Sequence, residues 1–152
     1  MSDQETQPTA VSKVGGEVLP SAGRSETVKG KVRGYRDLLV WQKRMALAKR
    51  IYELTRGFPS EEKFGLVSQM RRATVSIPCN IAEGQARKST AEFVQFISTT
   101  EGSVAELDTP LPLSVDLGFA KTAQTADLFQ ALLELKRMLN GLRRTLTTPK
   151  EA

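Results

Sequence analysis

The sequence predicts an all-α protein: an antiparallel up-down-up-down four-helix bundle following a disordered N-terminal tail. Three observations point there. Four stretches between residues 38 and 146 carry apolar residues at steps of three and four, the period of a helix with one buried side. No stretch alternates with the period of a strand. The breaks between the four, at residues 57–60, 84–88 and 118–121, are short enough that each helix has to return along its predecessor.

Residues 1–34 are rich in Ser, Thr, Gln, Gly and Pro with no apolar periodicity, so they are expected to be a disordered tail. The tail runs into a basic arm, with Lys29, Lys31, Arg33 and Arg36 spaced by glycines. It reads either as a solvated linker or as an anion-contacting arm. The bundle is expected over residues 35–148, with residues 149–152 again disordered.

The first helix is expected from Leu38 to Arg56, with Asp37 as N-cap and Gly57, Phe58 and Pro59 as the stop. It carries two apolar rows. Val40, Leu47, Ile51 and Leu54 form one; Trp41, Met45, Ala48 and Tyr52 form the other. Together they cover nearly half the circumference, more than one core contact requires, so a second buried contact is expected. Arg44 falls between the rows, where a lone charge is costly, and Glu83 is its expected partner.

The second helix is expected to start at Ser60 as N-cap, with Glu61 and Glu62 at the positive end of the helix dipole. Its core stripe is Leu66, Met70, Ala73, Ile77 and Ile81. Pro78 removes the hydrogen bond to Thr74, which predicts a kink there, continuation to about Glu83, and an end at Gly84. The third helix opens on Ser89-Thr90-Ala91-Glu92, a capping box. Its core row is Phe93, Ile97, Thr100, Val104, Leu107 and Leu111. Pro110 and Pro112 interrupt it, so the helix either bends and resumes through Leu117 or ends near Asp108 ahead of an irregular segment. The fourth helix, Thr122 to Leu146, has the cleanest heptad: Leu128, Leu132, Leu135, Leu139, Leu142 and Leu146.

With 152 residues the chain suits one folded domain. It has no histidine and a single cysteine, Cys79. A Ser-His-Asp or Cys-His site, a His/Cys zinc site and an internal disulfide therefore cannot be built. The chain reads as non-catalytic, without cofactor, metal site or small-molecule substrate. Glu101 and Glu106, the sort of pair that acid-base chemistry uses, fall on different helix faces. No membrane-length apolar run or export signal is present, so a cytoplasmic location is expected. The net charge of +5 suits an anionic partner, although the distribution of charge says more than the sum.

On the second helix, Gln69, Arg72, Ser76, Asn80 and Glu83 share one polar face. Three readings stay open for it: RNA contact, subunit contact, or solvent. The first helix and its arm are strongly basic, whereas residues 89–120 contain Glu92, Glu101, Glu106, Asp108 and Asp116 and no basic residue. That polarity suits nucleic-acid binding or, equally, attraction between copies of the chain. Arg143 and Arg144 either compensate the last helix's dipole or form a phosphate patch.

Several runs carry a resemblance: Tyr35-Arg36-Asp37-Leu38-Leu39-Val40-Trp41-Gln42-Lys43, Ile51-Tyr52-Glu53-Leu54-Thr55 through Phe58-Pro59, Ser68-Gln69-Met70-Arg71-Arg72-Ala73, Ser76-Ile77-Pro78, Asn80-Ile81-Ala82-Glu83-Gly84, and Arg87-Lys88-Ser89-Thr90 through Glu92-Phe93. On these residues, and over roughly Tyr35 to Leu146, the chain resembles the bacterial four-helix-bundle family of proteins encoded within intervening sequences of the 23S ribosomal RNA gene. An accessory subunit of the reverse transcriptase of diversity-generating retroelements is a related bundle. The resemblance implies a left-handed bundle, a homo-oligomer of pentameric ring type, and a role in binding ribosomal or other structured RNA. Pro110 and Pro112 depart from the family's regular third helix.

Lys43, Lys49, Arg50, Arg71, Arg72, Arg87 and Lys88 are the expected phosphate contacts. Trp41, Arg44, Tyr52, Gln69, Asn80 and Glu83 are the expected subunit contacts. Surfaces suited to base stacking look nearly devoid of aromatic residues, which speaks against reading of single strands. The competing expectation is a homo-oligomeric interaction module or accessory subunit that touches no nucleic acid.

Overall fold

A computed structural model describes residues 39–149. The expected tail, the basic arm and the Asp37 cap lie outside these residues. The elements are α1 (Leu39–Thr55), a 3-10 turn (Ser60–Glu62), α2 (Leu66–Ala86), α3 (Thr90–Asp108), α4 (Pro110–Asp116) and α5 (Thr122–Thr147). The described residues contain no strand.

Four rods form the bundle, with α4 continuing the third. Packing runs α1 on α2, α2 on α3, α3 on α5 and α5 back on α1, which puts α1 and α3 at opposite corners. Ion pairs across the seams give the direction. Glu101 meets Arg143, and two helical turns further along α3, Asp108 meets Lys136, two turns back along α5. Lys43 with Glu134 and Arg50 with Asp127 repeat the pattern between α1 and α5. The neighbours are antiparallel, as an up-down-up-down bundle requires.

The apolar rows fill the interior. Leu47 and Ile51 of α1, Met70, Ile77 and Ile81 of α2, Ile97, Val104 and Leu107 of α3, Leu111 of α4, and Leu128, Leu132, Leu135 and Leu139 of α5 are all buried. Burial of each such side chain stabilises the fold by about 1.5–3 kcal/mol before chain entropy is counted. The expected rows of the third and fourth helices are buried at every position, except that Leu142 and Leu146 are only partly covered.

The start of α2 differs from expectation. Phe58 is buried with its ring 5.7 Å from that of Phe119, and Pro59 is extended (φ −54°, ψ 144°), so Ser60 enters a 3-10 turn. The turn closes through Lys63 N–H to Ser60 O and Gly65 N–H to Glu62 O, and α2 begins only at Leu66. Its first amide donates to Glu62 Oε2 at 3.0 Å. The cap is thus the Glu62 carboxylate, which also suits the helix dipole, and not the Ser60 hydroxyl.

Its end differs too. The helix runs on through the buried ring of Pro78 and past Gly84 to Ala86. At Gly84 α3 approaches α2 closely: a Cβ there would lie 2.6 Å from Phe93 Cδ2 and 2.8 Å from Phe96 Cβ. The glycine serves packing and does not terminate the helix.

The capping box of α3 is formed. Ser89 Oγ accepts the Glu92 N–H at 3.2 Å and Glu92 Oε2 accepts the Ser89 N–H at 3.3 Å. At the prolines the outcome falls between the two alternatives: α3 ends at Asp108, but helix resumes as α4 through Asp116 in place of an irregular segment. Thr109 keeps right-handed helical angles (φ −93°, ψ −50°) and Pro110 opens α4, where a missing amide hydrogen costs nothing. Gly118, at φ 76°, then closes α4. Phe119 N–H bonds Ser114 O at 2.8 Å and Gly118 N–H bonds Val115 O at 2.9 Å, a Schellman ending that needs a residue tolerant of left-handed angles.

Candidate nucleic-acid interface

The two apolar rows of α1 part company in the fold. Val40, Leu47 and Ile51 enter the core, whereas Met45 is 45% exposed and Tyr52 38%. Trp41 is half-buried and packs at the core's edge. Along the seam with α2, Trp41, Met45 and Ala48 face Val75, Pro78, Cys79 and Ala82 across an apolar groove of about 310 Å³. This is the unspent apolar surface that the width of the two rows implies.

Arg44 is 0% exposed, and none of its three guanidinium nitrogens has a hydrogen-bond partner. Desolvation lowers its pKa from the usual arginine range to about 10, since the interior penalises the charged form. The expected pairing with Glu83 is not made: Glu83 pairs with Arg87 one turn along the same helix, on the surface.

The polar face of α2 divides. Gln69, Arg72 and Ser76 border a cleft of about 900 Å³ between α2 and α3, together with Ser103 and Glu106, and the Ser76 and Ser103 hydroxyls bond across it. Asn80 turns its amide onto its own helix, Nδ2 to Ser76 O at 2.8 Å.

The cations also sort into two groups. Lys43, Arg50 and Arg87 of the expected phosphate set each meet a carboxylate, as do Lys136 and Arg143. Among the described residues Lys49, Lys63, Arg71, Arg72 and Lys88 make no ion pair. The expected contrast of a basic first helix and an acidic third helix is therefore muted. Both helices flank α5, whose Glu134 and Asp127 meet the cations of α1 while its Arg143 and Lys136 meet the carboxylates of α3. A sum taken helix by helix cannot register neutralisation across a seam.

Arg44, Arg56, Lys121, Arg137 and Arg144 make no ion pair either; of the unpaired cations, three come together at the start of α2. Lys63, Arg71 and Arg72 line a cleft of about 600 Å³ with Tyr52, Phe64, Val67, Ser68, Val75 and Ser76. No carboxylate lines it. Arg71 is held in place, donating from Nε to Thr55 Oγ1 at 2.9 Å and from Nη2 to Tyr52 O at 3.5 Å, with its guanidinium 4.5 Å above the Tyr52 ring. Phe64 is 88% exposed, with Lys63 Nζ 5.4 Å from its ring. Sequence reasoning missed this residue and held such surfaces nearly free of aromatics. The available signal was a large apolar residue off the core stripe, directly before a glycine.

The model of the 23S rRNA-intervening sequence protein family matches residues 36–141. The chain belongs to that family. The match takes in Lys63, Phe64, Arg71 and Arg72, spans both Pro110 and Pro112, and stops before Arg143 and Arg144. A solved structure from Bacteroides thetaiotaomicron, described as a protein of unknown function from the S23 ribosomal protein family, is 21% identical, with a TM-score of 0.63 over 72% of this chain and all of that one. At this identity the likeness shows the shared fold. No curated protein matches the chain significantly in sequence. Among the described residues of this 23S rRNA-intervening sequence protein, no group of three His, Cys, Asp or Glu is placed to hold a metal, and no helix is long and apolar enough to cross a membrane.

Proposed function

We propose that this member of the 23S rRNA-intervening sequence protein family is a non-catalytic, homo-oligomeric cytoplasmic protein that binds structured RNA through the basic cleft at the start of α2. The observation that carries the reading is the grouping of Lys63, Arg71 and Arg72 in one cleft without a carboxylate, while Lys43, Arg50, Arg87, Lys136 and Arg143 are each neutralised within the chain. Three cations held close together repel one another, and a phosphate backbone relieves that repulsion while releasing its own counterions. Arg71, already oriented by Thr55 and Tyr52, loses little rotamer freedom on contact. The ribosomal RNA in the family's name supports the choice of RNA.

The apolar groove along α1 and α2 favours a second element of the same proposal, self-association. Trp41, Met45 and Val75 give up water there against another copy of the chain. The competing reading keeps this groove and drops the RNA: a homo-oligomeric interaction module or an accessory subunit of a larger assembly.

Sedimentation of the full chain, alone and with a structured RNA hairpin, at about 50 and 200 mM salt, separates the two. The proposal expects an oligomer in the absence of RNA and a faster boundary with RNA at low salt, a shift that shrinks at the higher salt. An oligomer whose boundary RNA never moves would leave the module reading in possession.

A further inference from the structure

We infer that Phe64 is a stacking platform for an unpaired nucleotide, so that the partner is RNA with a bulged or looped base and not an uninterrupted duplex. This rests on the RNA-binding reading above and adds to it what the cleft selects.

Phe64 is the most exposed large apolar side chain described in the protein, at 88%. Left in water, a phenylalanine forgoes most of the stabilisation that its burial provides, and the 3-10 turn and Gly65 hold this one outward without support from the core. Beside it stand Lys63, Arg71 and Arg72, with the Ser68 hydroxyl on the same cleft wall. On its other side Phe64, with Ser68 and Arg72, also borders the cleft between α2 and α3, where Glu62 is committed to the first amide of α2 and Glu106 lies on the α3 side. An occupant therefore has to present a flat apolar face and negative charge within one residue's reach of each other. A nucleotide does both: its base stacks on Phe64 while its phosphates meet Arg71 and Arg72.

Two other occupants fit less well. Another copy of the chain would have to bring one of the few carboxylates left without a cation, such as Glu53, Glu61, Glu106 or Asp116, since Glu83, Glu101, Asp108, Asp127 and Glu134 are engaged within their own chain, and a carboxylate side chain offers Phe64 no flat apolar face. A free mononucleotide would find one ring and an open side, too little enclosure to be held. A base carried by an RNA bound along the basic surface needs no enclosure, because the rest of the RNA supplies the affinity.

The test uses the full chain and two labelled hairpins, one with a single unpaired adenine and the other fully paired, in fluorescence anisotropy at fixed low salt. Wild type is expected to favour the bulged hairpin about tenfold, the order of one base-aromatic stack. Phe64→Ala should erase that preference with little change for the paired hairpin, and Phe64→Trp should keep it. Replacing the unpaired adenine by 2-aminopurine gives a direct readout, quenched by wild type and by Phe64→Trp and not by Phe64→Ala. Because Phe64 lies outside the core, thermal melting of the variants should match wild type. Equal binding of both hairpins by wild type, still weakened by Arg72→Ala, overturns the stacking site and leaves RNA binding standing. Binding of neither hairpin overturns both. An oligomer that dissociates in Phe64→Ala while the hairpin preference persists assigns Phe64 to a subunit contact and overturns the inference.

Discussion

Arg44 sets a local conflict, a guanidinium with no exposed surface and no hydrogen-bond partner. An unpaired buried charge weakens a fold, and an apolar side chain of similar length relieves the cost. Arg44→Met is accordingly expected to raise stability by about 1–3 kcal/mol, read as a higher midpoint in urea unfolding with an unchanged slope. The pH dependence has a definite sign. Folding lowers the pKa from the usual arginine range to about 10, so the folded state binds this proton less tightly than the unfolded chain does. The penalty is complete below about pH 10 and fades as pH rises from there toward the ordinary arginine pKa. The gap between variant and wild type should therefore narrow in that interval; a gap that widens would contradict the burial of Arg44 as a charged group. The position of Arg44 between the two rows was legible in helical spacing. Its missing partner was not, because Glu83 shares a residue pattern with the seam but faces away from it.

Elements were legible in proportion to how local their signals are. The heptad of α5 and the Ser89-Glu92 box each depend on residues within a turn or two of one another, and α5 and α3 form where those signals put them. Gly84 reads locally as a stop, yet it is set by Phe93 and Phe96 of the next helix, which no spacing within α2 reveals. Gly84→Ala tests the point. Alanine favours a helix by about 1 kcal/mol over glycine, but its Cβ would meet Phe96 Cβ at 2.8 Å, an atom anchored close to the backbone. Overpacking is expected to win, with a net loss of about 1–2 kcal/mol by thermal unfolding; a stabilised variant would mean that α2 and α3 stand farther apart. The displaced start of α2 has a similar origin. Burial of Phe58 against Phe119 spans distant parts of the chain and delays the helix from Ser60 to Leu66, turning Phe64 outward on the way.

At the scale of the whole molecule the antiparallel ring of helices decides which charges remain for a partner. Glu101 with Arg143 and Asp108 with Lys136 are partly exposed pairs, each contributing about 0.2–1 kcal/mol. The double variant Glu101→Gln, Asp108→Asn should therefore cost less than about 2 kcal/mol in urea unfolding; a larger loss would give these pairs a structural part that their exposure argues against. Their larger effect is to remove four charges from the outer field, so that the cleft of Lys63, Arg71 and Arg72 stands out. Arg71 and Arg72 were legible as candidate phosphate contacts, but their grouping with Lys63 and Phe64 in one cleft was not, since neutralisation across seams appears only once the helices have neighbours. RNA binding by that cleft is the central claim, and the dependence of affinity for one structured RNA on salt, for wild type and for Arg71→Ala, Arg72→Ala, tests it most directly. Each phosphate contact contributes about 0.9 to the slope of log affinity against log salt. Wild type should bind with a steep negative slope, and the double variant should bind more weakly with a slope shallower by about 2. Equal slopes for the two proteins, or no binding by wild type at about 50 mM salt, would contradict the account.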